Sequence, residues 1–346
     1  MSYHIVSIDS PQCSLSCKDG QLTCKSAEGE KKLPLEDVAS IIITSFSASI
    51  HSELFLQAAK HGVALIICEA FKPVSLVLPA NRSTDTILSR AMLSLNEGVR
   101  QQLWQKTVDA KCQNQLALAQ HIAPGEARLD AMRKTAHGRK PHKEAICAKA
   151  FWQVLGTTLG AEDFRREPQP PAGRSQCEET QNSARNHFIP SLSTNGGEAT
   201  HRAGEGVRSE RGQLNDLLNY GYAVLLSTVL QKAFGVGLDP TFGISHVARE
   251  RSTPLAYDLM EPFRPCVDWR VFQWAKQHPD RKDWEVSKEF RKWVTGFPLE
   301  RVDYLDFTLE IQGCIEGVVR GFRRAVIEAQ PRYYKPWTPR NSKWAG

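Results

Sequence analysis

The chain has 346 residues, 41% of them hydrophobic and 24% charged, enough to bury a sizeable core and to make more than one domain. With a mean hydropathy of -0.38 and no apolar run approaching the ~20 residues of a bilayer span, composition excludes both a disordered chain and a helical membrane protein. A net charge of +6 and a pI near 8.8 permit a polyanionic partner without requiring one.

The first stretch reads as strands. YHIVSI is followed by CSLSCKDGQLTCK, in which Asp19-Gly20 forms a two-residue hairpin turn. Pairing outward from that turn sets Cys17 opposite Leu22 and Leu15 opposite Cys24, making Cys17 and Cys24 packing residues rather than metal ligands. Nine cysteines without a CxxC pair suggest neither a disulfide framework nor a zinc knuckle. VASIIITS and VALIIC are continuous apolar runs suited to strands buried on both faces. Between them a short helix is expected, with Ser49 as its cap, Leu54, Phe55 and Ala58 as its stripe and Gly62 as its exit. FKPVSLVLPANR then leaves the strand-rich part through Pro73 and Pro79.

From about residue 84 the apolar period becomes 3.6. A long helix is expected over 99–122, with Leu103, Trp104, Val108, Cys112, Leu116 and Ala119 inward. Another follows from about Glu126, then the loop AHGRKPH, then a helix opening near Pro141. The stretch from about 166 to 212 is rich in Pro, Gly, Ser and charge, and reads as a flexible insertion. Structure resumes in QLNDLLNYGYAVLLSTVLQKAF and continues through further helices to about Ala329. The tail PRYYKPWTPRNSKWAG has three prolines and cannot be regular helix. The fold class is therefore α+β. An N-terminal β-rich domain (1–83) precedes a larger all-helical domain (84–330), and an irregular tail (331–346) follows.

Glu144 lies in a first helical turn, on the side of Cys147, Ala148 and Phe151, so its carboxylate points inward and needs a partner. A dipole contact, an ion pair with a lysine and a metal all satisfy that need. His246 follows the turn-rich GLDPTFGIS, and Asp258 and Glu261 sit three apart among Leu255, Leu259, Met260 and Phe263. Here a solvated acidic edge and a ligand pair are both open. Oxygen and imidazole donors together suit Mg²⁺ or Mn²⁺ better than zinc. Arg133, Lys134, His137, Arg139, Lys140, His142 and Lys143 approach Glu144, while Arg249, Arg251 and Arg264 bracket the second group. Such charges would draw in a phosphate backbone. Tyr222 reads as a packing or DNA-proximal residue, packing being favoured.

Taken together, LPLEDVASIIIT with HGVALIIC, KEAICAKAFW, NDLLNYGYAVL, GLDPTFGISH and LAYDLMEPFRP resemble, in order, the CRISPR-associated integrase family of spacer acquisition. The resemblance spans nearly the whole chain except the insertion and the tail. It implies metal ligation by Glu144, His246 and Glu261, with Asp258 in support. It also implies a metal-dependent endonuclease and integrase that inserts DNA fragments into a CRISPR array by transesterification. The attacking group is a 3'-hydroxyl and the target a phosphodiester at the repeat border. Double-stranded DNA, both prespacer and repeat, is the implied substrate. The family pattern further implies a homodimer, its contact made by the N-terminal domain, and a small bridging protein that completes a heterohexamer. A cytoplasmic location is expected, since the N-terminus lacks the layout of a secretory signal. The rivals are a non-catalytic DNA-binding scaffold and a transposon-borne homologous integrase. The insertion is far longer than the family pattern suggests, and the aromatic-basic tail is expected to dock on the partner protein or on single-stranded DNA, the partner being favoured.

Because the insertion carries so little apolar surface, trimming residues 169–206 is expected to leave the thermal unfolding midpoint nearly unchanged. A fall of many degrees in a melting scan contradicts that reading.

Overall fold

The computed structural model describes residues 4–45, 47–69, 72–77, 86–138, 142–164, 166, 210–246, 253–340 and 344. The insertion, apart from Arg166 and residues 210–212, thus lies outside the described residues, as do Arg139, Lys140, Arg249 and Arg251.

Two small sheets open the chain. In one, β1 (His4–Ile8), β5 (Val38–Ile43) and β7 (Ala64–Glu69) run parallel, and β8 (Lys72–Val77) closes the edge antiparallel to β7. In the other the order is β4 (Gly29–Pro34), β3 (Gln21–Ser26), β2 (Ser14–Lys18) and β6 (Ser49–Ile50). The β2–β3 hairpin has the register expected from its turn, Cys17 facing Leu22 and Leu15 facing Cys24, with Asp19 and Gly20 both at positive φ. Two expectations fail here. Ser49 does not cap α1 (Ser52–Lys60), because it pairs with Ser14 in β6 and His51 takes the cap position. Pro73 does not end the strand-rich part; it lies within β8, at a sheet edge where a missing N–H is tolerated.

The apolar runs of β5 and β7 serve two cores. Ile41, Ile43 and Leu65 pack with Leu15, Leu35 and Leu54 in the N-terminal core, whereas Ile42, Ile66 and Cys68 face the helical one. Alternation along a strand that is apolar throughout lets a single sheet seal both sides.

The helical part comprises α2 (Thr86–Leu93), α3 (Glu97–Ile122), α4 (Arg128–Ala136), α5 (Lys143–Thr158), α6 (Glu210–Gly235), α7 (Pro254–Met260), α8 (Arg264–Gln277), α9 (Lys288–Val294) and α10 (Ile311–Ile327). α6 lies against β5, β7 and β8 on one side and α7, α8 and α10 on others, so most of residues 214–230 are buried. Its approach to α8 is close enough that a Cβ at Gly221 would stand 2.5 Å from Val267 Cγ1. Among the described residues no helix is long and apolar enough to cross a membrane. One hairpin interrupts the helices. β9 (Arg301–Tyr304) and β10 (Phe307–Glu310) turn at Leu305, which has positive φ, where only helices were expected.

The tail folds back on its own chain. Tyr334 is fully buried, its hydroxyl 2.9 Å from Thr107 Oγ1 on α3. Trp337 stacks on Phe263, and its indole N–H donates to Asp303 O at 3.0 Å. Asn114 Nδ2 donates to Trp337 O at 2.9 Å. The aromatic residues expected to meet a partner or single-stranded DNA are therefore core residues at these two positions. Replacing Trp337 by Ala is expected to cost ~3–5 kcal/mol in urea unfolding. A loss below ~0.5 kcal/mol would identify a loosely attached tail.

Candidate active site

One face of α3 organises the site. Arg100, Trp104, Thr107, Lys111 and Asn114 recur at intervals of three or four and so line a single stripe. At the N-terminal end of this stripe Arg100 donates to Gly243 O at 3.0 Å, which anchors the segment that carries His246. Gly243 is required there by space, because a Cβ would lie 2.4 Å from His246 O and 3.2 Å from Asp258 Oδ2. The loop closes over Asp258, which is fully buried. Asp258 accepts from the backbone N–H of Ile244 (2.7 Å), Ser245 (3.2 Å) and His246 (3.2 Å). Its Oδ1 also lies 2.7 Å from His246 Nδ1.

That contact orients the imidazole. A proton on Nδ1 faces the carboxylate, so Nε2 is left as the free nitrogen, and the ring sits between Trp104 and Tyr257. The hydrogen bond that His246 donates to Asp258 holds the imidazole pKa above its ordinary value against the opposing effect of burial.

The carboxylates meet further along α3. Lys111 Nζ is 2.5 Å from Glu144 Oε1 and 2.6 Å from Glu261 Oε2, so one ammonium joins residues 117 positions apart in the chain. Glu144 comes from the first turn of α5. Glu261 begins the single 3-10 turn Glu261–Phe263 that links α7 to α8, and Asn114 Nδ2 holds that turn by donating to Pro262 O at 2.6 Å. Burial works against the charge of Lys111, yet Glu261 and Glu144 together hold its pKa above the usual lysine value. Burial likewise opposes ionisation of Glu261, and Arg264 and Lys111 outweigh it, so its carboxyl stays below the ordinary range.

The expected residues are thus partly gathered. Glu144 and Glu261 converge, and His246 lies close enough for the Glu261 charge to raise its pKa. Among the described residues, however, no three His, Cys, Asp or Glu side chains stand close enough to form a finished coordination sphere. Asp258 faces His246 and three backbone amides instead of the two glutamates.

Of the expected DNA-facing residues, Arg133 and Lys134 are exposed on α4, Arg133 paired with Asp130. Lys143 is not available to a phosphate: it is buried and its ammonium lies 2.6 Å from Asp109. Arg264 is also internal, its Nε 3.0 Å from Glu261 Oε1 and its guanidinium over the Tyr222 ring. Clustering in sequence brought both into the expected patch, but each is turned inward by a carboxylate.

Tyr222 is a packing residue as expected, and its hydroxyl donates to Asp268 Oδ1 at 2.5 Å. Burial pushes the Asp268 carboxyl up to about 7 against the pull of that hydroxyl and of Arg264. The folded pKa then exceeds the unfolded one, so protonated Asp268 favours folding. This contribution is full below about pH 4 and lost as pH rises through 7. Relative to Asp268→Asn, the wild type is expected to lose on the order of a few kcal/mol between pH 5 and pH 8. Parallel melting curves across that range for the two proteins would contradict the assignment.

The sequence matches the family described as CRISPR associated protein Cas1 over residues 6–173 and 192–295. It is 26% identical over 268 residues, 76% of this chain and 73% of that protein, to the CRISPR-associated endonuclease Cas1 of Neisseria meningitidis serogroup C (strain 8013). Among solved structures, a casposase bound to integration product superposes with a TM-score of 0.69 at 18% identity, covering 97% of this chain and 94% of that one. A chain of a Cas6-RT-Cas1–Cas2 complex gives 0.65 at 14% identity, with 98% of this chain matched to 36% of that longer one. With the family match extending over well more than half of its length, including Glu144, His246, Asp258 and Glu261, the chain belongs to the CRISPR associated protein Cas1 family.

Proposed function

We propose that this chain is a divalent-metal-dependent DNA endonuclease and integrase that inserts DNA fragments into a CRISPR array, with Glu144, His246 and Glu261 holding Mg²⁺ or Mn²⁺. The observation that carries this reading is the convergence of Glu144 and Glu261, from distant segments, on one cationic centre beside an imidazole oriented by Asp258. The donor set fits a hard divalent cation: two carboxylates, one of them buried, and one imidazole. Glu261 Oε2 in particular is buried, and its charge is met there by a cation, the Lys111 ammonium 2.6 Å away. A carboxylate kept ionised in such a place is a donor suited to a divalent cation.

When bound, the metal supplies Lewis-acid stabilisation of the charge that builds on a phosphodiester attacked by a 3'-hydroxyl. The chain's own groups do the positioning. Asp258 fixes the His246 ring so that Nε2 keeps its lone pair outward. Arg264 and the Asn114–Pro262 hydrogen bond hold the turn that presents Glu261. Arg133 and Lys134 offer positive charge on the exposed side of α4, where a DNA backbone would lie. Transesterification of this kind needs no covalent enzyme intermediate.

The fold shared with a casposase bound to integration product supports DNA strand transfer as the reaction class. Likeness to a chain solved with Cas2 supports a second CRISPR-associated protein as partner. In that reading two homodimers flank a small bridging protein, and the distance between active sites sets the length of the inserted fragment.

Glu144→Ala, His246→Ala and Glu261→Ala are each expected to reduce joining of a DNA fragment into a supercoiled repeat-bearing plasmid by about 100-fold or more in Mg²⁺ or Mn²⁺. DNA binding should stay within a few-fold of wild type. If joining survives all three changes the metal site is misassigned; if binding persists and the wild type itself joins nothing, the protein is a DNA-binding scaffold.

A further inference from the structure

Lys111 has no place in the ligand set, yet it stands at its centre. From its Nζ, the carboxylate oxygens of Glu144 and Glu261 are 2.5 and 2.6 Å away, distances at which the ammonium fills the space a divalent cation would need. A Mg²⁺ bound to the same two oxygens would lie at about 2.1 Å from each. On the side of those oxygens where Nζ lies it would overlap the ammonium, and next to the Arg264 guanidinium the like charges would repel as well. The two cations cannot share the site.

We infer that Lys111 is a tethered substitute for the metal: its ammonium closes the metal-free site by neutralising Glu144 and Glu261, and it swings out when a divalent cation enters. This rests on the metal reading given above. Among the described residues the site is more open on one side than on the other. Glu261 and the stem of Lys111 are enclosed, whereas the side chains of Glu144 and His246 are 36% and 47% exposed, so the displaced ammonium moves to the Glu144 side. That is the side from which DNA must reach the ligands. There the ammonium is free to contact a phosphate oxygen, so the charge that guards the empty site becomes one that helps to seat substrate in the filled one.

The exchange has two consequences that a merely structural lysine would not have. Metal binding works against an internal competitor, so its apparent affinity is lowered by the fraction of molecules in which Lys111 stays in place. Lys111 also becomes more accessible when the metal binds, the reverse of the usual tightening of a site around its ligand.

Both are measurable on the full chain. Calorimetric titration with Mn²⁺ is expected to give an affinity about tenfold or more tighter for Lys111→Met than for wild type, while the metal-free Lys111→Met protein melts at a lower temperature. Unchanged or weaker Mn²⁺ binding by Lys111→Met overturns the inference. Should that variant fail to fold, the wild type decides: acetylation of Lys111, followed by mass spectrometry, is expected to rise several-fold on saturation with Mg²⁺, and an equal or slower rate overturns it. Glu144→Ala and Glu261→Ala separate this from the reading beneath it. If both still bind Mn²⁺ like wild type, the metal assignment itself is wrong; if both lose binding and Lys111→Met gains nothing, only the exchange is wrong.

Discussion

A charge sunk into protein must be answered, and the ammonium of Lys111 is answered by two carboxylates that come from different helices. Desolvating the ammonium and the Glu261 carboxylate costs several kcal/mol, and removing one of these two leaves the other uncompensated at a cost of ~3–5 kcal/mol. Relaxing the packing of α3 against α5 or against the Glu261 turn would break the balance. The charges therefore fix the relative placement of the helices, and the apolar core fills the space around them. Stability and candidate chemistry draw on the same few side chains.

Asp258 and Glu261 illustrate how little sequence spacing says about role. They sit three residues apart, yet one is surrounded by amide donors and the His246 ring and the other by Lys111 and Arg264. The chain changes from α to 3-10 geometry at Glu261, and Pro262 and Pro265 follow it. That local tightening re-aims Glu261 away from the face it would share with Asp258 in an unbroken helix. The first acid orients an imidazole, and the second is free to face the glutamate of α5.

Much of this was legible from residues alone. The turn at Asp19-Gly20 set a register that the structure reproduces, and the unbroken apolar runs of β5 and β7 announced strands covered on both faces. Glu144, His246 and Glu261 stood out as inward or loop-borne polar residues in apolar company. What escaped was anything that depends on direction. Lys111 looks like the solvated side of a helix until both sides of α3 are known to be buried. Lys143 and Arg264 belong to basic clusters on paper, but each ends against a carboxylate. Eight residues of hairpin in β9 and β10 are too few to outweigh the helical period around them, and an aromatic-basic tail has the composition of a binding segment whether it meets a partner or its own core.

The docked tail reaches into the neighbourhood of the glutamates. Tyr334 and Trp337 lie on the same stripe of α3 that carries Lys111 and Asn114, and Asn114 touches both the tail and the turn bearing Glu261. One amide thus ties the seating of residues 334–337 to the turn that presents Glu261, so a substitution that frees the tail would reach a carboxylate it never touches.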